Sequence, residues 1–252
     1  MIQRLLVLLC TAFALSGCDA LADSTPDYRY RLTVEVETPD GLKTGSSVIE
    51  VQTSIAGEYS IPTPGRVSQR LRGEAVAVDV GDGQTLFALL RSESEVDWAK
   101  QVMFLLTPSV RSSDGKNYEA TFEDMLKRTR EIELPRYYRN RGHIRNRKAY
   151  PMLVTFGDLS DPTSVAQVDP DDLAASFGDG TSLKRITVQM TDAPVTTGIA
   201  QRLGWFRKQA QSGGGLIPMI ENSNGRYEAA PGYDESLTDI GLSNFSTEAY
   251  KL

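Results

Sequence analysis

The chain has 252 residues, of which 40% are hydrophobic and 24% are charged. This balance is typical of a folded globular protein and excludes a disordered or collagen-like chain. Its 33 acidic and 27 basic residues give a net charge of −6, which excludes a general polyanion binder. One His and two Cys exclude any mechanism that needs several of either residue.

The first 17 residues have the organisation of an export signal. A positively charged Arg4 precedes an apolar run over residues 5–15, and small residues follow it directly. The run is much shorter than the roughly 20 residues that a membrane-spanning helix needs. It therefore predicts a cleaved signal peptide over residues 1–17.

The end of this signal, Leu15-Ser16-Gly17-Cys18, resembles the lipobox of bacterial lipoproteins. The resemblance implies cleavage between Gly17 and Cys18, a diacylglyceryl thioether on the Cys18 thiol, and acylation of the new amino terminus by palmitate or a similar fatty acid. Two or three acyl chains anchor a protein stably to one leaflet. We therefore expect a lipid-anchored protein of the bacterial cell envelope that faces the periplasm.

Two further features accompany the predicted anchor. Asp19, directly after the cysteine, resembles the inner-membrane retention signal of enterobacterial lipoproteins, which favours the inner membrane. Residues 18–27 have no strong pattern and predict a short tether. Because Cys10 leaves with the signal and Cys18 carries lipid, the mature chain has no thiol for a disulfide, for catalysis or for a metal.

The hydrophobic pattern from Tyr28 onward predicts strands in the first third of the chain. Residues 28–37 alternate between apolar and polar, as in a half-buried strand. Further strands are predicted over 46–53, 71–80 and 85–90, the last two joined by a tight turn at Asp82-Gly83. We expect these strands to form one four-stranded, largely antiparallel sheet.

Helices and shorter strands are predicted in the remainder. Helical spacing indicates a helix over 95–106, and Thr121 has the spacing of a helix cap. An apolar run over 151–156 and an alternating pattern over 183–191 predict strands, with a short helix between them that begins near Asp169 and ends at Gly178. Residues 28–252 are therefore expected to form a single α+β domain: a largely antiparallel N-terminal sheet, then mixed helices and strands, with a loop-rich C-terminal part.

The block over residues 161–203, DPTSVAQVDPDDLAASFGDGTSLKRITVQMTDAPVTTGIAQRL, resembles a segment of uncharacterised proteobacterial proteins. The resemblance implies a shared family. It brings no activity and no site residues.

The most unusual stretch of the chain is basic. Residues 127–148 contain nine basic and two acidic residues, a local charge of +7 against −13 for the remainder. We call residues 136–148 the basic segment and predict that it forms an exposed loop. Its candidate anion-binding residues are Arg136, Arg139, Arg141, His143, Arg145, Arg147 and Lys148. The functional interpretation is contact with anionic lipid headgroups or an envelope glycan; the alternatives are pairing with the acidic remainder of the chain, or nucleic acid, which is badly placed outside the cytoplasm.

The other candidate chemistry has structural explanations. A cluster of acids between Asp158 and Asp179 lacks the spacing of a calcium loop, and Asp169 already has a capping role. His143 is the single histidine, and no Gly-x-Ser-x-Gly motif supplies a nucleophile for it. We therefore predict no catalytic residue, no metal and no cofactor.

Three functions are compatible with this pattern. The first is a non-catalytic, lipid-anchored envelope protein with a binding or scaffolding role and an unidentified protein partner. The second is an envelope hydrolase that uses carboxylates without a recognisable motif. The third is an export or surface component that recognises an external anionic partner through the basic segment. A deep pocket that holds two carboxylates with raised pKa would favour the second.

Overall fold

The computed structural model describes residues 26–56, 66–113, 115–138, 147–213 and 215–249. The predicted signal peptide, Cys18 and most of the predicted tether lie outside these ranges. The described residues form an α+β fold with a large antiparallel sheet, which confirms the predicted fold class. The chain divides into two compact units, one with residues up to 27 and 51–70, the other with 28–50 and 71–252.

The elements are numbered in chain order. The strands are β1 (Tyr28–Thr38), β2 (Gly41–Ile55), β3 (Val67–Arg72), β4 (Val76–Gly81), β5 (Gln84–Ala88), β6 (Ile132–Glu133), β7 (Leu153–Phe156), β8 (Val165–Gln167), β9 (Ser182–Met190), β10 (Met219–Glu221) and β11 (Tyr227–Ala229). The helices are α1 (Trp98–Leu106), α2 (Asn117–Leu126), α3 (Ala174–Phe177), α4 (Ile199–Arg202) and α5 (Phe206–Ser212). Within the described ranges, no helix combines the length and the apolar character that crossing a membrane requires.

The first sheet has the strand order β3-β2-β1-β9-β6. β1 and β9 pair antiparallel, with Tyr30 opposite Met190 and Val34 opposite Ile186. The alternation predicted for β1 is confirmed, since every second residue from Tyr28 to Val36 is buried. The compact unit with residues 51–70 holds the far parts of β2 and β3, where the Ala56 N–H donates to the Arg66 carbonyl at 2.9 Å.

The second sheet has the order β4-β5-β7-β8, and its neighbouring strands are antiparallel. The predicted turn between β4 and β5 is confirmed, because Asp82 and Gly83 have φ values of 50° and 75°, as a tight hairpin turn requires. β2 and β4 approach each other closely at Gly45, where a Cβ atom would lie 2.2 Å from the Ala77 carbonyl oxygen. Only glycine permits this approach.

The predicted strand over 71–80 is wrong. The predicted strand is interrupted at Gly73, whose φ of 151° is unfavourable for other residues. As a result, β3 ends in the first sheet and β4 begins in the second. The strands of the first third are thus shared between two sheets instead of forming one. The less exposed residues of β3 have odd numbers, such as Leu71, whereas the buried valines of β4 have even numbers, so the break also shifts the alternation by one residue.

Two predicted helix starts differ from the structure. α2 begins at Asn117, so Thr121 lies inside the helix, where its hydroxyl donates to the Asn117 carbonyl at 2.7 Å and accepts from the Val110 N–H at 2.9 Å. α3 begins at Ala174, after a turn in which Asp169 accepts from the Asp171 N–H at 2.9 Å. Its end at Gly178, with φ 93°, is as predicted.

The C-terminal part, predicted to be loop-rich, belongs to the core of the second sheet. Phe87, Phe156 and Phe245 meet with ring centroids 5.6–5.9 Å apart. The Ala75 N–H donates to the Phe245 carbonyl at 2.7 Å, and the Leu90 N–H donates to the Asn244 carbonyl at 2.9 Å. These hydrogen bonds to residues beside β4 and β5 satisfy backbone carbonyls of a segment that has little regular structure of its own.

Candidate functional site

The basic segment has an ordered base. The Tyr138 N–H donates to the Arg147 carbonyl and the Ala149 N–H donates to the Arg136 carbonyl, both at 3.0 Å, with Tyr137 and Lys148 paired antiparallel between them. The two ends of the segment therefore form a short β-ladder. Residues 139–146, which include the predicted binding residues Arg139, Arg141, His143 and Arg145, lie outside the described residues.

The base is fixed to the interior through Trp98 at the start of α1. The indole N–H of this buried side chain donates to the Ala149 carbonyl at 2.9 Å. Ala149 and Tyr138 are buried as well and pack against partly buried leucines near the end of α1. The ends of the basic segment are therefore held by core contacts.

The three described cations of the segment each have a carboxylate partner. Arg136 contacts Asp171 at 2.5 Å and lies 5.0 Å from the centre of the Tyr150 ring. Two further cations pair with acids just before α1. The distances are 2.9 Å for Arg147 to Glu95 and 2.5 Å for Lys148 to Glu93.

The charge that remains in the basic segment lies between its paired ends. Residues 139–146 contain three arginines and no acid. The carboxylates that pair with the ends come from other parts of the chain. For those ends, this agrees with the alternative in which the segment pairs with the acidic remainder of the chain. The anion-binding role of Arg139, Arg141 and Arg145 stays a prediction.

The base of the basic segment lies beside the strand that follows the predicted tether. The Tyr28 and Tyr30 hydroxyls donate to the carbonyls of Lys100 and Ala99 in α1, at 3.2 and 2.7 Å. Burial raises the pKa of Tyr30, and the neighbouring Tyr28 and Tyr138 raise it further. The start of β1, α1 and the base of the segment are therefore in continuous contact.

A second candidate site, which the sequence did not reveal, is a cleft of about 240 Å³ beside β1. We call it the Glu50 cleft. The charged and hydroxyl side chains that line it and bear on its chemistry are Arg29, Glu50, Arg72, Glu74, Thr197 and Glu248. They come from five separate stretches of the chain, so no local sequence motif predicts the cleft.

Glu50 lies at the centre of the charges in this cleft. Its side chain is 5% exposed, and its two oxygens accept from different arginines: Arg29 Nε at 2.9 Å and Arg72 Nη1 at 3.4 Å. The two arginine side chains are 40% and 47% exposed. A single buried carboxylate thus orients two half-exposed guanidinium groups.

Glu74, the second buried carboxylate of the cleft, binds protein donors with both oxygens. It accepts from the Ile199 N–H at 2.8 Å and from the Ser246 hydroxyl at 3.0 Å. Thr196 holds the adjacent loop to β2, because the Val48 N–H donates to its hydroxyl at 2.8 Å. These bonds give the cleft a fixed wall.

Four of the acids noted between Asp158 and Asp179, namely Asp158, Asp161, Asp169 and Asp172, accept from backbone N–H groups two or three residues further along the chain. Asp161 accepts from the Thr163 N–H at 2.8 Å, and Asp158 accepts from the Ser160 N–H at the same distance. The hydrogen bonds from Ser160 lower the pKa of Asp158. In the parts of the chain that the structure describes, no three His, Cys, Asp or Glu side chains group as a metal site would require.

Comparisons of the chain with protein-family models, with curated proteins and with solved structures find no match.

Proposed function

We propose that the protein is a non-catalytic, lipid-anchored binding protein of the bacterial cell envelope, whose basic segment contacts anionic lipid headgroups. The observation that carries the proposal is that the base of this segment and the start of β1, the strand that follows the tether, both contact α1. The lipid on Cys18 and the arginines of residues 139–146 would then act on the same leaflet.

The length of the tether supports this arrangement. The nine residues after Cys18, residues 19–27, reach about 15–18 Å in random-coil statistics, so the start of β1 stays close to the bilayer. Each basic residue near an anionic leaflet contributes about 1 kcal/mol of attraction, which falls off over a Debye length. Three arginines without an acidic neighbour in the same stretch suit this contact.

The hydrogen bonds of the Glu50 cleft support binding over hydrolysis. A hydrolase that uses two carboxylates needs one carboxyl group that takes and gives a proton to the substrate. Both oxygens of Glu50 and both oxygens of Glu74 are engaged by protein donors. Neither carboxylate is presented to the cleft in the way that this chemistry needs.

The anchor is tested by replacing the lipidated residue. Cys18→Ala in cells should abolish labelling by a fatty-acid analogue and release the protein from washed membranes, because the lipobox resemblance assigns the lipid to this thiol. Ser16→Ala is the control, since a small residue is kept in the lipobox. A Cys18→Ala protein that stays in the membrane fraction after a high-salt wash contradicts the proposal.

The role of the basic segment is tested by trypsin, which cleaves after arginine. We expect anionic vesicles that carry the lipidated full chain to protect Arg139, Arg141 and Arg145 from cleavage, and neutral vesicles to leave them accessible. High salt should remove the protection. Exposed arginines elsewhere, at Arg111, Arg207 and Arg226, serve as internal controls.

Two results would contradict headgroup contact. One is equal cleavage of these sites on anionic and neutral vesicles. The other is protection by soluble heparin without protection by anionic vesicles, which would assign the segment to an anionic glycan.

A further inference from the structure

We infer that the Glu50 cleft binds a small zwitterion, a molecule that carries a carboxylate and an ammonium group as an amino acid does. The inference is independent of the membrane contact proposed above. It begins from the unequal number of cations and carboxylates around Glu50, and from the cavity beside them.

The arginines of the cleft differ from other paired arginines of the protein. Arg185 binds both oxygens of Glu35, at 2.7 and 3.0 Å, and also contacts Glu131 at 3.2 Å. At Glu50 the ratio is inverted, since two guanidinium groups share one carboxylate. In the described part of the chain, Glu50 is the only ion-pair partner of Arg29 and of Arg72.

The remaining N–H groups of these arginines give the cleft a donor set. Arg29 uses its Nε and Arg72 uses one Nη toward Glu50. Among the described residues, both Nη groups of Arg29 and two nitrogens of Arg72 then have no hydrogen-bond acceptor. A guanidinium fork is suited to a carboxylate or a phosphate. Because Glu50 is buried and fixes both side chains, little side-chain entropy would be lost on binding.

The charge balance of the lining selects between classes of ligand. The lining contains two arginines, Arg29 and Arg72, and three carboxylates, those of Glu50, Glu74 and Glu248, so its formal net charge is −1. A phosphate dianion would meet this net negative field, and a simple amine would meet the two arginines. A zwitterion can place its carboxylate at the arginines and its ammonium group toward the carboxylates of Glu74 and Glu248.

The size of the cleft limits the ligand further. Its volume of about 240 Å³ is below the range of roughly 300–1,000 Å³ that holds drug-sized molecules. Thr197, an exposed residue of the lining, adds a hydroxyl that both donates and accepts. The cleft therefore fits a molecule with the two charged groups and a short side chain.

The test uses the full chain in nonionic detergent and titration calorimetry with three related probes. L-Alanine carries both charged groups, propionate lacks the ammonium group, and ethylamine lacks the carboxylate. We expect saturable binding of alanine, with propionate and ethylamine weaker by at least about tenfold each, because each loses one charged contact.

Matched variants locate the binding. Arg29→Gln and Arg72→Gln should each weaken alanine binding by at least about tenfold. Arg31→Gln is the control, since Arg31 lies on the same strand, contacts Ser46 at 3.4 Å and does not line the cleft. Absence of saturable alanine binding by the folded wild-type chain overturns the inference, as does equal binding by wild type and Arg29→Gln. Propionate binding as tight as alanine overturns the zwitterion assignment.

Discussion

The basic segment and the Glu50 cleft are both rich in arginine, yet they use their charges in different ways. At the ordered base of the basic segment, Arg136, Arg147 and Lys148 each have a separate carboxylate. In the cleft, Arg29 and Arg72 share a single buried one. The basic segment has the higher density of basic residues in the sequence. Its described cations nevertheless each have a carboxylate of their own, whereas those of the cleft do not.

This difference shows why charge density along the chain is a poor guide to binding. A cation paired with its own carboxylate attracts an anionic ligand less strongly. Two cations that share one carboxylate keep N–H donors that the carboxylate does not use. Sequence reveals how many charges lie close together in the chain. Only the fold reveals which acids are brought to them from elsewhere.

The largest expected effect is at the wall of the cleft. Glu74→Ala removes the acceptor of the Ile199 N–H and of the Ser246 hydroxyl and leaves two buried donors without partners. We expect the free energy of unfolding to fall by about 2–4 kcal/mol, measured by chemical denaturation. Glu248→Ala, at a partly exposed residue of the same cleft, is the control, and an equal loss in both variants would show that Glu74 has no special structural role.

The next effect is at the base of the basic segment. Trp98→Phe keeps the packing but removes the indole donor, so the buried Ala149 carbonyl loses its partner. We expect a loss of about 1–2 kcal/mol in the free energy of unfolding and faster trypsin cleavage within residues 139–146.

A matched tryptophan separates these two consequences. Trp205 also donates its indole N–H to a backbone carbonyl, that of Leu159, at 2.9 Å. Trp205→Phe should lower stability without accelerating cleavage in the basic segment. If both variants accelerate it equally, the anchoring role of Trp98 is refuted.

Much of the fold can be predicted from the sequence, because regular alternation and tight turns are local signals. The buried face of β1 and the turn at Asp82-Gly83 follow from neighbouring residues alone. The break at Gly73 does not. Whether a strand continues through a glycine depends on its partners, here the Thr247 hydroxyl that accepts from the Gly73 N–H at 3.0 Å across the fold.

The same distinction applies to the two candidate sites. The basic segment is contiguous and therefore visible in the sequence, although the acids that pair with its ends are not. The Glu50 cleft is assembled from residues far apart in the chain. The alternation of β1 places Arg29 on the polar face, but nothing local indicates that Glu50 is buried beneath it.

A smaller, pH-dependent effect is expected where an arginine is fully paired. Hydrogen bonding to Arg185 holds the pKa of Glu35 below its usual value. Ionised Glu35 therefore stabilises the folded state at pH values above its pKa in the unfolded chain. This contribution is lost as the pH falls through the pKa of Glu35 in the folded state. Arg185→Gln should therefore flatten the decrease of melting temperature in acid. Arg31 has no carboxylate partner among the described residues, so Arg31→Gln should leave that decrease unchanged. An unaltered acid profile in Arg185→Gln would contradict the assignment.

The smallest expected effect separates compensated charges from uncompensated ones within the basic segment. Arg147→Gln with Lys148→Gln removes two cations that already pair with Glu95 and Glu93. Partly exposed ion pairs contribute about 0–1 kcal/mol, so the melting temperature should change little. Protection of Arg145 from trypsin by anionic vesicles should also persist, because the paired charges contribute little attraction.

The matched double variant, Arg139→Gln with Arg141→Gln, removes the same amount of charge from the stretch that contains no acid. It should abolish the protection of Arg145, read out by mass spectrometry of the cleaved chain on anionic vesicles. Equal loss of protection in both double variants would mean that the ion pairs at the base do not neutralise Arg147 and Lys148 toward a membrane. Each cation of the basic segment would then attract the membrane equally. The two regions would in that case differ only in the burial of their carboxylates. The shared carboxylate of the cleft lies beneath its arginines, whereas the partners at the base lie beside theirs at the surface.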